Sequence, residues 1–282
     1  MVRDLRAGRD AQAEAALALI AAAGADVILL MDVDWDHGGA GLSALRDRLR
    51  DLGAAYPHAL ALRPNSGTPS GHDLDGDGRA HGPRDALGYG WFTGDSGLAL
   101  LSRYPLGEAK DHSATLWSDR SDAAGLLPEA AQDEIPLATT AQWRVPLRVG
   151  EAQLMLVTLA AGTPVFDGPE DRNGLRNRDE LLQVTDLATD VPLPVVLGRA
   201  NQDPARGEGH AEALRALLDH PALQDVAPSD GGNTATVRWE RAGEMRVDYV
   251  LPARGLRVID SGILRDDAAG PARLVWVDVA LP

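Results

Sequence analysis

The run ADVILLMDV (residues 25–33) constrains the fold more than any other stretch of this chain. A strand with one face in water alternates apolar and polar residues, whereas this one is apolar almost throughout and must be covered on both faces. SGLALLSRYPL (96–106), TAQWRVPLRV (140–149), AQLMLVTLA (152–160) and PVVLG (194–198) also read as strands. Helical spacing appears over 11–23, 42–52, a segment running from about Leu175 to Asp186, and 210–220. The segments EMRVDYVLP, LRVIDSG and ARLVWVDVAL read as closing strands. Interleaved helices and strands, with strands paired in the middle and at the end, predict an α/β fold in one body spanning 1–282, with two mixed β-sheets packed face to face and helices outside.

Residues 64–96 break this rhythm as a long irregular insertion rich in Gly, Pro, Asp and His. The longest apolar stretch, AEAALALIAAAGADVILLM, carries Glu14 and Asp26 and is punctuated by Gly24, so it reads as helix, turn and strand rather than a membrane span. No signal-peptide pattern precedes it. The formal net charge is −15 and Lys110 is the only lysine, which disfavours broad electrostatic binding to nucleic acid. With no cysteine, disulfides, thiolate zinc sites and cysteine nucleophiles are excluded, and oxygen-ligand metals remain open.

The strand PVVLG runs into RANQDP, which places Arg199, Asn201 and Asp203 at one strand mouth. Read together, ADVILLMDVDWD, GLALLSRYPL, PVFDGPEDRNGLRNRDEL, VVLGRANQDP and MRVDYVLP resemble the endonuclease/exonuclease/phosphatase superfamily of metal-dependent phosphoesterases, and the PVFDGPEDRNG block resembles a bacterial branch of it. The resemblance implies a four-layer α/β sandwich. It also implies a reaction in which divalent ions, Mg²⁺ or Mn²⁺, and a His/Asp pair drive attack of water on phosphorus in a small phosphoester, a lipid headgroup or a nucleic acid.

Carried over residue by residue, that site is largely rewritten. Asp32 stands at the metal-binding Glu position, and taken alone it also reads as an acidic residue at a strand mouth. Gly-Asp-x-Asn corresponds to GRAN, so Arg199 replaces the aspartate that orients the nucleophile while Asn201 remains. A guanidinium is no base at neutral pH and repels a divalent cation. It is expected to pair with Asp32, Asp203 or Asp248 and to fill the metal's space. Ala160 stands at a histidine position, and Pro271 and Ala272 stand where an Asp and the proton-transferring His belong; none of the three can move a proton. Gln142, Trp143 and Arg144 stand where the family strand carries His-Trp-Asp. Asn201, Asp203 and Asp248 are the retained positions.

These substitutions predict an impaired or inactive phosphoesterase; the alternatives are an active metal-dependent phosphodiesterase or nuclease with a rearranged site, and a non-catalytic interaction module. Nothing before Ala11 matches the family's first strand, which ends in Asn. Either the chain starts after that strand, which would also leave out an export signal of the kind relatives carry, or the sheet lacks an inner strand.

Two other stretches carry their own expectations. In HDLDGDGRAHGPRD, Asp73, Asp75, Asp77 and Gly78 match the first half of a calcium loop, with Arg84 at the twelfth place and Asp85 beside it; a solvated acidic turn is the other reading. In PVFDGPEDRNG, Asp167, Arg172 and Asn173 form either a substrate-facing loop or, as preferred, a locked loop with an Asp167–Arg172 ion pair and turns at Asn173 and Gly174. The seven histidines fall in no pair with metal-ligand spacing on one element, and most are expected to be solvated.

Overall fold

Strands without polar alternation find cover on both sides here, and the layers follow from that. The computed structural model describes residues 2–282. In chain order the elements are α1 (Val2–Ala7), α2 (Ala11–Ala23), β1 (Val27–Val33), α3 (Ala40–Asp51), β2 (His58–Leu60), β3 (Gly97–Ser102), β4 (Lys110–Asp111), β5 (Trp143–Val149) and β6 (Ala152–Ala160), then α4 (Arg172–Leu187), β7 (Pro194–Arg199), α5 (Ala211–Leu218), β8 (Val237–Trp239), β9 (Gly243–Met245), β10 (Asp248–Leu251), β11 (Arg257–Leu264) and β12 (Leu274–Ala280).

A five-stranded mixed sheet has the order β10-β7-β6-β5-β4, in which only β6 and β7 run parallel. Packed against it are the antiparallel sheet β1-β3-β2 and the antiparallel pair β11-β12; β8 and β9 form a separate hairpin. Leu98 and Leu100 of β3 meet Trp143 and Val145 of β5, Leu154 and Leu156 of β6 and Leu197 of β7 between the sheets. The opposite pleat of β6, Val157 and Leu159, lies with Val196 and Tyr249 under Leu181 and Val184 of α4 and Leu214 and Leu217 of α5. On the far side, Ile28 and Leu101 are covered by Leu17 and Ile20 of α2 and Leu45 and Leu49 of α3. Alternate residues of one strand thus enter two different cores, which is why period-two polarity is missing from the sequence. Among the described residues no helix is long and apolar enough to cross a membrane.

Leu74 of the insertion packs in a separate small cluster with Trp117, Ile135 and Leu137 of the segment between β4 and β5, against Leu175 of α4. Arg176 of α4 is buried with it and donates to the carbonyls of Leu137 (2.9 Å), Leu87 and Pro136 (both 2.7 Å). Burial pushes that guanidinium down to about 10, and it stacks 5.7 Å from the Trp117 ring centroid. One turn on, the buried Glu180 carboxylate accepts from Thr139 N (2.6 Å), Thr139 Oγ1 (2.8 Å) and Gly162 N (2.7 Å). Burial raises the Glu180 pKa, and those donors with Arg176 oppose the rise.

The helix α4 starts at Arg172, three residues before the expected Leu175, because Asp171 takes a left-handed conformation (φ 55) and breaks the chain direction there. Asn173 and Gly174 are therefore helical rather than in turns. The expected Asp167–Arg172 ion pair does not form. Asp167 instead accepts from Asn173 N (2.5 Å), capping the helix start, and Arg172 donates to Leu74 O (2.5 Å), so the loop is held through backbone groups.

Asp225 accepts from both ends of the Arg246 guanidinium, at 2.7 and 2.5 Å. Burial pushes the carboxyl up, but the Arg246 hydrogen bonds and charge outweigh it and hold the group below its ordinary 3.8. A depressed carboxyl contributes its full stability above the unfolded-state pKa and loses it as pH falls through the folded-state value. Asp225→Asn is therefore expected to lower stability at neutral pH by about 2 kcal/mol and to flatten the acid limb below pH ~4, read from urea unfolding across pH.

Candidate functional site

The site lies where β1, β6, β7 and β10 end together. The register places Arg199 directly opposite Asp248 on the antiparallel neighbour β10 and beside Ala160 on the parallel neighbour β6. Arg199 Nε donates to Asp248 Oδ1 at 2.8 Å, and Nη1 donates to Asp32 Oδ2 at 3.3 Å. Asp32 reaches across because β1 bulges between Met31 and Val33, where Asp32 adopts φ 59; a bulge of this kind re-aims one side chain. The Arg199 and Asp248 side chains are 20 % and 8 % exposed, whereas Asp32 is 67 % exposed.

Burial works against the Arg199 charge, but the attraction of Asp248 and Asp32 outweighs it and raises the guanidinium pKa further. Asp248 is pushed up by burial, which exceeds the opposing pull of Arg199. Its Oδ1 is bonded, while its Oδ2 is buried without a partner. The neighbouring Thr236 Oγ1 accepts from Val247 N and Asp248 N, both at 3.0 Å, and so fixes the start of β10.

Of the three expected partners of Arg199, the structure brings Asp32 and Asp248 to it and sends Asp203 elsewhere. Asp203 accepts from Ala205 N (2.9 Å) and Arg246 N (2.7 Å), a structural bracket between two loops. Asn201 sits at φ 55 and donates to Ala161 O at 2.8 Å. Pro271 and Ala272 lie beside the β8 hairpin, with Pro271 O accepting from Arg238 N and Ala272 bridged to Val237. Gln142 is buried and donates to Glu180 O, and Arg144 Nε donates to Leu187 O.

A hard divalent ion takes about six oxygen donors. Here the Asp32 and Asp248 carboxylates at the strand mouth are both engaged by one guanidinium. Ala160, Pro271 and Ala272 offer no side-chain donor. With Arg199 between them, Asp32 and Asp248 do not fit a shared divalent ion unless the guanidinium moves away.

In the insertion, Asp73, Asp75 and Asp85 bring one carboxylate oxygen each within 4.8 Å of one another, a donor set able to hold a cation. Asp85, rather than Asp77, completes the group. Asp77 instead accepts from Arg79 N at 2.8 Å, whereas Asp85 is buried and accepts from Leu74 N (2.9 Å) and Gly82 N (2.7 Å). Burial raises the Asp85 pKa, but those backbone donors outweigh it and hold it below the ordinary range.

Sequence reasoning missed a cleft of about 290 Å³ behind the β1 terminus, lined among others by Val33, Trp35, His37, Leu42 and Leu98. The aromatic pair Trp35 and His37, 6.2 Å apart edge to face, was its available signal. Several histidines are also less exposed than expected. His220 is buried against Thr189 Oγ1 (3.1 Å), and His210 lies between Asp171 (2.8 Å) and Glu212 (3.2 Å).

Residues 4–270 match the sequence model of the Endonuclease/Exonuclease/phosphatase family. No curated protein matches the sequence. Among solved structures, the chain is similar to an endonuclease/exonuclease/phosphatase family protein from Leptotrichia buccalis, at 13% identity over 96% of this chain and 93% of the other, with a TM-score of 0.61. It is similar to an endonuclease/exonuclease/phosphatase from Beutenbergia cavernae at 18% identity over 96% of this chain and 66% of the other, TM-score 0.65. A 3′-5′ exonuclease from Neisseria meningitidis aligns at 13% identity over 91% and 90% of the two chains, TM-score 0.52. At such identities the structural likeness speaks for the fold alone.

Removing one member of a buried ion pair leaves the other uncompensated. Arg199→Ala is expected to cost about 3 kcal/mol at pH 8 and progressively less as pH falls, because burial already raises the Asp248 pKa and the variant removes the Arg199 pull that opposes it, as measured by urea unfolding across pH.

Proposed function

Because the chain belongs to the endonuclease/exonuclease/phosphatase family, we propose that it keeps the fold of a metal-dependent phosphoesterase and has lost the hydrolysis. The observation that carries this reading is the Arg199 guanidinium bonded to both Asp248 and Asp32. Phosphoester hydrolysis at this mouth needs a cation to organise water and phosphoryl oxygens and a base to take the water's proton. Arg199 disfavours the first, and Ala160 and Ala272 cannot supply the second. Each missing acid or base costs about 10²-fold or more, and such losses at one site are not multiplied. Asn201, with its left-handed backbone, remains as an anchor of the strand mouth rather than as part of a reacting centre.

The expected outcome with an activated phosphodiester and Mg²⁺ or Mn²⁺ is a rate no different from that of Asn201→Ala. Steady turnover abolished by Asn201→Ala would overturn the proposal. The combined variant Arg199→Asp, Ala160→His and Ala272→His is expected to gain Mn²⁺ binding measurable by calorimetry, whether or not turnover returns.

A second reading concerns the insertion, where the convergence of Asp73, Asp75 and Asp85 favours a structural Ca²⁺ ion. An ion that binds only the folded chain raises the melting temperature. Ca²⁺ is expected to do so for the wild type and to lose the effect in Asp75→Asn, an exposed position whose replacement leaves the buried Asp85 bonds in place.

A further inference from the structure

Among the described residues β1 bonds to one strand, β3, and β12 bonds to one strand, β11, so each keeps an edge without a ladder partner. The two strands lie in one layer. Val27 and Leu29 of β1 and Val279 of β12 reach the core between the sheets, while Ile28 of β1 and Leu274 of β12 reach the core under α2 and α3. Beneath them β1 lies against β7, and β12, the inner strand of its pair, lies against β10; β7 and β10 are neighbours in the five-stranded sheet. The layer therefore runs β2-β3-β1 and then β12-β11, with the two open edges turned toward each other. Neighbouring strands bond at a spacing of about 4.8 Å. No ladder and no backbone hydrogen bond joins β1 to β12 among the described residues.

This break leaves apolar strand residues short of cover. β3, bonded on both sides, is buried throughout, whereas Leu29, Leu30 and Met31 of β1 and Val275, Trp276 and Val277 of β12 are half-buried. Strands so apolar are those of a sheet interior. A cavity of about 230 Å³ is lined by Asp4 and Leu5 of α1, Asp10 and Ala13 around the start of α2, and Asp32 and Asp34 about the end of β1. Gln12, between two of those residues, donates to Ala269 O (3.4 Å) on the approach to β12. The same turn of α2 thus borders the cavity and holds the approach to β12, so the cavity opens at the end of the break where β1 stops and β12 starts.

Edges that face each other inside one layer, with the five-stranded sheet beneath and α2 above, are reached by an extended chain and not by a folded domain. A strand bonded on both sides and covered on both faces carries apolar residues on both pleats. Four carboxylates and no basic residue line the cavity at its end, on a chain of net charge −15, which favours a lysine or arginine there. A second copy of the chain brings the same −15 and is repelled. We infer that the break between β1 and β12 receives, by strand addition, an extended segment of a partner protein that is apolar along its length and basic at one end. The inference is independent of the loss of hydrolysis and is tested without turnover.

The probe is a fluorescent peptide of valine, isoleucine and threonine, seven residues long like β1, with a lysine pair at one end. It is expected to bind the wild type saturably, read by anisotropy. The same peptide N-methylated at every second residue keeps its side chains and charge but cannot complete a ladder, and is expected to bind more than about tenfold more weakly. Asp10→Asn retains an acceptor for Ala13 N and drops one charge, so it is expected to weaken binding about threefold, an effect that shrinks with added salt. Bound peptide is expected to slow hydrogen exchange at amides of both β1 and β12, a readout that needs no variant. No saturable binding, equal affinity for the N-methylated peptide, wild-type affinity in Asp10→Asn, or slowed exchange in one strand alone would each overturn the inference. So would a concentration-dependent dimer whose β1 and β12 amides slow without peptide, which makes the occupant a second copy of the chain.

Discussion

The buried polar stripe of α4 holds the walls of this molecule in place. Arg176 and Glu180 are one turn apart on a helix face that elsewhere would be apolar, and each is desolvated at a cost of several kcal/mol unless its bonds are made. They are made mostly to backbone: three carbonyls for Arg176, and two amides for Glu180 with the Thr139 hydroxyl beside them. Asn177, one residue on from Arg176, donates to Gly162 O and Ala200 O. A single helix thereby fixes the chain at 87, 136–139, 162 and 200, segments separated widely in sequence. Because most of the partners are main-chain groups, the arrangement depends little on the side chains at those positions.

At the mouth, one guanidinium stands between two carboxylates. Arg199 relieves the repulsion that Asp32 and Asp248 would otherwise feel, a part that a divalent ion could also play. What differs is directionality. The guanidinium spends its donors in a fixed planar fork and keeps its proton, whereas an ion exchanges ligands and acidifies bound water. On the proposed reading, the guanidinium keeps the two carboxylates balanced without supplying what an ion would.

Much of the layering was legible from the chain, because strands packed on both faces carry an unbroken apolar signature and helices carry their own period. Where α4 begins was not: the left-handed Asp171 that starts it and the helical Gly174 inside it follow from tertiary bonds, not from local preference. The same limit applied to charge pairing. Arg199 was expected to take a carboxylate, but which one depended on the β7–β10 register and on a bulge in β1, neither of which leaves a mark on composition. Asp203 lay closest in sequence and was claimed instead by Arg246 N. In the acidic insertion, spacing pointed to Asp77, and the fold chose Asp85 because burial and two backbone amides aim its carboxylate inward.

Gly198 precedes Arg199 with φ 134, and any Cβ there would stand 1.9 Å from Leu159 O on the neighbouring strand. No other amino acid enters that place without parting β6 from β7. The tip of this strand can therefore vary where the position beneath it cannot. Whatever group follows the glycine, whether carboxylate or guanidinium, is delivered to the same point in space, so the scaffold acts as a socket into which successive chemistries can be inserted one residue at a time.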